Sequence, residues 1–367
     1  MSIRTIAIAL ICCLQSLVTT RGDDALHELV SRQVQPRIDR GESVGIVVGI
    51  VREGRTEVFG FGRPSTEDVH RPDGRTIFEI GSVSKVFTAV ALADMAEERV
   101  VALDAPLRTL IPEAVRVPSR GGREITLRML ANHRSGLPRL IPKVIARTIT
   151  GQQPYANVDA SDLYEFLAVH ELKTDPGEKY LYSNFGSGLL GTALARRANT
   201  TYEELIASRI CRPLDLRDTR IHLDTLQTTR LARPYNKGKK PANPWKFGAF
   251  EGAGALRSTA DDMLRFVSAN LGLIDVAGRL RASLDAATTP RSPTDKTGVS
   301  ISLGWHVFEP KTKPSRPEIL WHNGGTAGFS SFIAFAPSKK VGVVALSNSD
   351  ESIDSVGLAV LDHLLQE

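Results

Sequence analysis

The chain has 367 residues, of which 42% are hydrophobic, and a formal net charge of +5. Of its three cysteines only Cys211 lies beyond residue 22, so the chain after that point cannot form an intramolecular disulfide. About 345 residues are enough to bury a core without disulfides. The net charge is mild, and the sequence has no glycine-rich phosphate loop, no repeat and no basic stretch interspersed with aromatic residues. These features argue against nucleic-acid binding.

Residues 1–22 have the pattern of a secretory signal peptide. A basic start is followed by a run from Ile6 to Val18 that is apolar except at two positions, and then by small polar residues. The run is too short to predict a membrane span. We therefore expect residues 1–22 to be a signal peptide, residues 23–367 to form one catalytic domain, and the protein to be secreted or periplasmic, with no stable membrane span once the signal is removed.

The next segments predict a helix and a two-stranded hairpin. Residues 24–38 have amphipathic helical periodicity. Every residue of 44–51 except its two glycines is β-branched, which indicates a buried strand. The turn-like residues 52–55 then lead into a second strand at 56–61.

A Ser-x-x-Lys motif stands where the strand pattern gives way to a helical one. Ser82 and Lys85 are three residues apart at the start of an apolar run, so on a helix they share a face. A serine hydroxyl is a weak nucleophile at neutral pH, and a lysine whose charged form is disfavoured by burial can accept its proton. The pair is therefore a candidate nucleophile and base, although an exposed helix start is the commoner explanation of an isolated motif of this kind.

Helical periodicity then continues to about residue 270, and strand-like runs return near the C-terminus. The late strand-like runs are residues 301–305, 318–321, 331–335 and 341–346, and residues 352–366 predict a closing helix. We therefore expect an α+β fold. An antiparallel sheet is built from both chain ends, 23–80 and 295–367, flanked by helices, with a mostly helical region inserted at 81–294.

Two further motifs make the Ser-x-x-Lys pair more specific. Tyr182 and Asn184 form a Tyr-x-Asn element 100 residues after Ser82, followed by an apolar, glycine-rich run. The segment His322-Asn323-Gly324-Gly325 follows 140 residues after Tyr182, between two strand-like runs. Three spaced elements in this order indicate a catalytic site far more strongly than one does.

The three motifs resemble those of the class C β-lactamase family, which also holds serine DD-peptidases, D-aminopeptidases and some esterases. Lesser matches in family order are residues 130–138, 254–262 and 328–348, which we interpret as scaffold. The resemblance implies the β-lactamase/transpeptidase-like fold and the strand pairing. The chemistry that it implies requires no cofactor. None of the eight histidines has His-x-x-x-His spacing, so no metal site is predicted either.

The resemblance also implies a role for each motif residue. Ser82 would attack a carbonyl, Lys85 and Tyr182 would share the acid and base work, and Asn184 would hydrogen-bond the acyl side chain of the substrate. The backbone N–H groups of Ser82 and Gly325 would hold the oxyanion. A charged Lys85 would lower the pKa of Tyr182 from its ordinary value of about 10.

The third motif departs from the β-lactamases, which have Lys-Thr-Gly at this place. His322 is largely neutral above neutral pH and would hold a substrate carboxylate less well than a lysine. The peptidase and esterase branches of the family commonly have a histidine there, and a structural role for His322 is the other interpretation. Asn323 replaces the threonine, while Gly324 and Gly325 suit a close approach of backbone to ligand.

We therefore expect a serine hydrolase with a Ser82 acyl-enzyme, acting as a D-alanyl-D-alanine carboxypeptidase-type peptidase on cell-wall peptides. A β-lactamase and an esterase for small acyl esters are the enzymatic alternatives. A penicillin-binding receptor that deacylates slowly is the non-enzymatic one. The expected partner is a small-molecule or peptide substrate: a β-lactam, a D-amino-acid peptide or an ester.

Overall fold

The computed structural model describes residues 24–237, 239–289, 291–310 and 316–366. The predicted signal peptide lies outside the described residues. Among the described residues no helix is both long and apolar enough to cross a bilayer.

An eight-stranded antiparallel sheet forms the centre of the molecule. The strands in chain order are β1 (Gly45–Arg52), β2 (Arg55–Gly62), β3 (Phe78–Glu79), β4 (Ser119–Arg120), β5 (Arg123–Glu124), β6 (Tyr235–Asn236), β7 (Lys240–Pro241), β8 (Arg257–Ser258), β9 (Ser292–Pro293), β10 (Val299–Ile301), β11 (His306–Phe308), β12 (Ile319–Gly325), β13 (Ser330–Ala336) and β14 (Val341–Ser347). The main sheet has the order β2-β1-β14-β13-β12-β11-β10-β9, and the other strands form two-stranded ribbons. Strands from both chain ends therefore meet in one sheet, as predicted.

Helices cover both faces of this sheet. They are α1 (24–39), α2 (Ser84–Glu97), α3 (Leu127–Ala131), α4 (Pro142–Ile149), α5 (Ala160–Val169), α6 (Asn184–Arg197), α7 (Tyr202–Ile206), α8 (Thr225–Thr228), α9 (Glu251–Gly254), α10 (Ala260–Asn270), α11 (Gly278–Thr288) and α12 (Asp354–Leu364). The inserted region between β2 and β9 is mostly helical, which confirms the α+β fold. The exact domain limits at 23, 81 and 295 stay predictions.

Burial on both faces explains the composition of β1. Val47 and Val51 belong to the core beneath the inserted helices, whereas Ile46, Val48 and Ile50 belong to a second core beneath the helices of the chain ends. A strand covered on both faces has no solvent side, so it lacks the usual polar alternation.

One predicted strand is wrong. The sequence pattern predicts a single strand over residues 301–305, but β10 ends at Ile301 and β11 begins only at His306. Gly304, with φ +75°, turns the chain between them, and its backbone N–H donates to the Ala131 carbonyl oxygen. The strand prediction extends across this turn because buried apolar residues continue to alternate there. Leu303 and Trp305 are both core residues, although neither is in a strand.

A buried charge cluster fixes the far end of α2, the helix that follows Ser82. The Asp94 carboxylate is 2.5 Å from Arg209 Nη1 and 3.0 Å from Arg279 Nε, and its side chain is only 1% exposed. Asp94→Ala is expected to lower the free energy of unfolding by about 2 kcal/mol, because two arginines lose a desolvated partner. Asp104→Ala removes an exposed partner of Arg128 and should cost less than about 1 kcal/mol. Urea denaturation of both variants measures the difference, and equal costs would contradict this view of the cluster.

Candidate active site

Ser82 and Lys85 meet at the start of α2. Ser82 lies in a single 3₁₀ turn, Gly81–Val83, and the α-helix begins at Ser84. Lys85 Nζ is 3.0 Å from Ser82 Oγ and donates to the Ala253 carbonyl oxygen at 2.6 Å. The predicted nucleophile and base are therefore in hydrogen-bond contact.

The surroundings of Lys85 favour its neutral form. The residue is only 3% exposed, and no carboxylate of the described residues forms an ion pair with it. Burial, reinforced by the nearby Arg139 charge, holds the pKa of Lys85 well below its ordinary value. A neutral amine that donates to Ala253 keeps a lone pair with which it can accept the Ser82 proton.

Tyr182 closes the other side of this pair. The centroid of its ring lies 5.0 Å from Lys85 Nζ and 4.4 Å from the His133 ring centroid. Burial raises the pKa of the Tyr182 hydroxyl to about 12, and the hydrogen bond with Ser82 and the Arg139 charge only partly oppose this rise. The expected lowering of the Tyr182 pKa is therefore wrong, because burial outweighs the effects that oppose it, and Tyr182 is suited to donate a proton.

These two pKa shifts predict the pH dependence of acylation. Protonated Lys85 cannot accept a proton, so the rate constant should fall as the pH falls through the lowered pKa of Lys85. Tyr182 should add no falling limb below pH about 12, because its phenol stays protonated. Stopped-flow acylation measured against pH checks this, with Tyr182→Phe as the comparison. A descending limb at moderately alkaline pH that Tyr182→Phe abolishes would contradict it.

A cavity of about 680 Å³ opens over the nucleophile. Ser82, Tyr182 and Asn184 line it, together with Asn323, Gly324 and Gly325 of the third motif. The three motifs predicted from sequence therefore meet at one cavity.

Asn184 begins α6 and faces the cavity beside an aromatic wall. Its Nδ2 donates to the Tyr155 hydroxyl at 2.9 Å, and Tyr155 stacks on Phe247 with 5.2 Å between ring centroids. The buried Oδ1 of Asn184 has no partner among the described residues. That oxygen is consequently free to accept a hydrogen bond from a bound ligand.

Backbone contact joins the third motif to the nucleophile turn. A Cβ atom on Gly324 would lie 2.1 Å from the Ile80 carbonyl oxygen and 2.9 Å from the Ser82 nitrogen, and one on Gly81 would lie 2.7 Å from the Gly325 nitrogen. Only glycines permit such an approach. It brings the backbone of Gly324 and Gly325 against that of Ile80–Ser82. The oxyanion site formed by the Ser82 and Gly325 N–H groups stays a prediction.

His322 lies behind the cavity wall. It is fully buried, its Nδ1 is 2.6 Å from the Asn323 carbonyl oxygen, and its ring centroid is 6.3 Å from that of Tyr182. Burial, with the charge effects of His306 and Lys85, holds the pKa of His322 well below its ordinary value. The histidine is therefore neutral, and its contact with a substrate stays a prediction.

Asn323 lines the cavity, but its amide is already engaged. Asn323 Nδ2 donates to Asp354 Oδ2 at 2.6 Å, and burial raises the pKa of Asp354. Asp295 and Asp350 line the same cavity. One carboxylate therefore contacts the third motif and two more line the same cavity, whereas the β-lactamase pattern has a cation in this motif.

Several residues that line the cavity were not found by sequence reasoning. They are Arg139, Tyr155, Tyr180, Trp245, Thr294, Asp295, Lys296, Val299, His306, Trp321, Ser330, Asp350, Ser352 and Asp354. Most come from loops with no fixed spacing from a motif, so no sequence signal identifies them. His133, Arg134 and Trp305, left outside the predicted site, do not line the cavity. Among the described residues no group of three or more metal-binding side chains is placed to hold an ion.

Comparison with known proteins identifies the family. The profile of the family described as Beta-lactamase matches residues 30–365, nearly the whole chain. The chain belongs to the β-lactamase family. The predicted resemblance is thereby confirmed, and so is the prediction that the chain is a serine hydrolase.

Relatives within the β-lactamase family carry two kinds of name. The chain is 28% identical to the D-alanyl-D-alanine-carboxypeptidase/endopeptidase AmpH of Escherichia coli K12, covering 92% of this chain and 90% of AmpH. It is 26% identical to a β-lactamase of the same organism, covering 91% of this chain and 92% of the relative. A class C β-lactamase structure from Rhodobacter sphaeroides has a TM-score of 0.78 at 25% identity and covers 92% of this chain and 98% of its own. The similarity therefore extends over the full length of these proteins.

Proposed function

We propose that this β-lactamase family member is a D-alanyl-D-alanine carboxypeptidase-type peptidase that works through an acyl-enzyme on Ser82. The observation that carries the proposal is the buried Lys85 amine, which is 3.0 Å from the hydroxyl of the cavity-lining Ser82 and whose pKa burial holds well below its ordinary value. A serine paired with such a base can attack an acyl carbon.

The acylation step follows from the positions of the groups. Lys85 accepts the Ser82 proton while Ser82 Oγ bonds to the carbonyl carbon of the scissile amide. The N–H groups of Ser82 and Gly325 donate to the resulting oxyanion. When the C–N bond breaks, the Tyr182 phenol donates its proton to the leaving amine, and the proton held by Lys85 restores Tyr182.

Deacylation repeats the same chemistry with water as the nucleophile. Water attacks the acyl carbon, its proton passes to the Lys85–Tyr182 pair, and Ser82 leaves with a proton restored. The lifetime of the acyl-enzyme distinguishes a peptidase from a β-lactamase, since both share the acylation step.

Two observations support peptide substrates. The AmpH relative, named for carboxypeptidase and endopeptidase activity, covers this chain as fully as the β-lactamase relative does. The third motif has a neutral, buried histidine instead of the lysine of the β-lactamases. Hydrolysis of β-lactams is the second candidate, supported by the E. coli β-lactamase relative.

Two assays on the purified protein test the proposal, with Ser82→Ala as the control in each. Release of D-alanine from an N-acylated peptide ending in D-Ala-D-Ala should be seen with the native chain. Benzylpenicillin should form an adduct that lasts for many turnovers of the peptide. Rapid consumption of benzylpenicillin without peptide cleavage would overturn the peptidase assignment in favour of a β-lactamase.

We also propose that residues 1–22 direct export and that the mature protein acts in the periplasm or outside the cell on a peptide or other small substrate. The charged start and the apolar run support this. N-terminal sequencing of the protein recovered from the cell envelope tests it, since a chain that begins at Met1 would contradict cleavage.

A further inference from the structure

Arg139 stands on the cavity rim beside the catalytic residues. It directly follows the turn Ser135–Pro138, and its carbonyl oxygen accepts the N–H of Phe185 at 3.1 Å, which places it next to Asn184. Its guanidinium carbon lies 5.1 Å from the centroid of the Tyr182 ring. Arg139 therefore belongs to the same wall as Asn184.

The guanidinium of Arg139 is available to a ligand. Among the described residues it forms no ion pair and no side-chain hydrogen bond, although three carboxylates line the same cavity. Arg134, five residues earlier, is different, because it donates to the carbonyl oxygens of Gly177, Glu178 and Pro293. Arg134 is thus part of the scaffold, whereas the Arg139 guanidinium contacts the Tyr182 ring.

A guanidinium with unused donors is matched by a planar anion. Arginine offers paired N–H donors in a fixed fork that fits a carboxylate in a two-point contact. Asn184, its neighbour on this wall, supplies the unpartnered Oδ1, an acceptor that suits an amide N–H of a substrate. Together the two residues match an acyl group that carries both an amide and a carboxylate.

We propose that Arg139 is a specificity-determining residue that binds a carboxylate on the acyl side of the scissile bond. The inference rests on the proposed Ser82 acyl-enzyme and adds the class of substrate: acyl donors with an anionic side group. It also gives the anion a cationic partner in a cavity whose other lining residues include Asp295, Asp350 and Asp354.

The test compares two penicillins that differ only in one acyl-side carboxylate. Benzylpenicillin lacks this group and α-carboxybenzylpenicillin has it, while the carboxylate of the bicyclic nucleus is common to both. The rate constants for acylation are measured by intact-protein mass spectrometry for the native chain, Arg139→Gln and Arg139→Lys. Lys296→Gln, which removes another positive charge from the cavity lining, is the matched control.

The inference is tested by the ratio of two acylation rate constants, that of α-carboxybenzylpenicillin divided by that of benzylpenicillin. Arg139→Gln should lower this ratio by about tenfold, since a partly exposed two-point ion pair is lost. Arg139→Lys should recover part of the ratio, and Lys296→Gln should leave it within about twofold of native.

Each other outcome overturns the inference. An unchanged ratio in Arg139→Gln means that the acyl-side carboxylate does not meet Arg139. Equal slowing of acylation by both penicillins means either that Arg139 binds the shared carboxylate or that it acts only through the pKa of Lys85. A shifted pH profile of acylation identifies the effect on Lys85. Absence of any Ser82-dependent adduct with either penicillin would instead overturn the proposed function, so the two failures are distinguishable.

Discussion

Replacing Lys85 by methionine should slow acylation of Ser82 by about 10³-fold, near the middle of the range for loss of a positioned general base. The thioether fills similar space but cannot accept the Ser82 proton, so the serine remains a protonated, weak nucleophile. The rate constant for formation of the benzylpenicillin adduct measures the effect. This rate constant should fall, but the variant should still fold and show a thermal unfolding transition. Methionine removes the cost of burying a cation-forming group.

The control for this substitution is Lys339→Met. Lys339 is exposed in the turn between β13 and β14, away from the cavity lining. It should acylate at the native rate. An acylation rate in Lys85→Met within about tenfold of native would exclude Lys85 as the general base.

Gly324→Ala should reduce acylation by about 10²-fold or more, the size found when one oxyanion donor is lost. Its Cβ would lie 2.1 Å from the Ile80 carbonyl oxygen and 2.9 Å from the Ser82 nitrogen, and both neighbours are backbone atoms. The strand and the nucleophile turn must therefore separate, which moves the Ser82 and Gly325 N–H groups apart. Stability should fall as well, because overpacking of this kind typically costs about 1–3 kcal/mol.

The matched control is Gly278→Ala at the start of α11. A Cβ atom there would meet nothing within 4 Å, so native acylation and native or slightly higher stability are expected. Acylation rates and urea midpoints of both variants give the comparison. If Gly324→Ala acylates as fast as Gly278→Ala, close backbone contact is not what positions the oxyanion site.

Much of the fold and the catalytic core could be predicted from local sequence. The β-branched run of β1 and the turn after it specify the first hairpin, in which Glu53 and Gly54 both adopt positive φ. Ser82 and Lys85 are three residues apart, so helical geometry alone brings them together. The positions of Tyr182 and Asn184 followed from the family resemblance.

The remaining features depend on contacts between distant segments. Arg139, Tyr155 and Asp354 reach the cavity from three separate parts of the chain, and their residue types carry no spacing that marks them. The pKa of Tyr182 depends on burial, on its hydrogen bond with Ser82 and on the Arg139 charge, none of which a motif encodes. Long-range packing therefore decides the electrostatics of this site.

The neutral third motif distinguishes this site from the β-lactamase pattern. His322 is buried and uncharged, and the Asn323 amide is bound to Asp354. Positive charge reaches the cavity near Tyr182 from Arg139 instead. Substrate recognition in this chain is therefore expected to depend on the wall that carries Arg139 and Asn184.

Acylation of Ser82 is tested most directly by peptide mapping after reaction with benzylpenicillin. The native protein should gain the mass of one penicillin, located on the peptide that contains Ser82, and Ser82→Ala should gain none. An adduct on another residue, or one that persists in Ser82→Ala, would contradict the account.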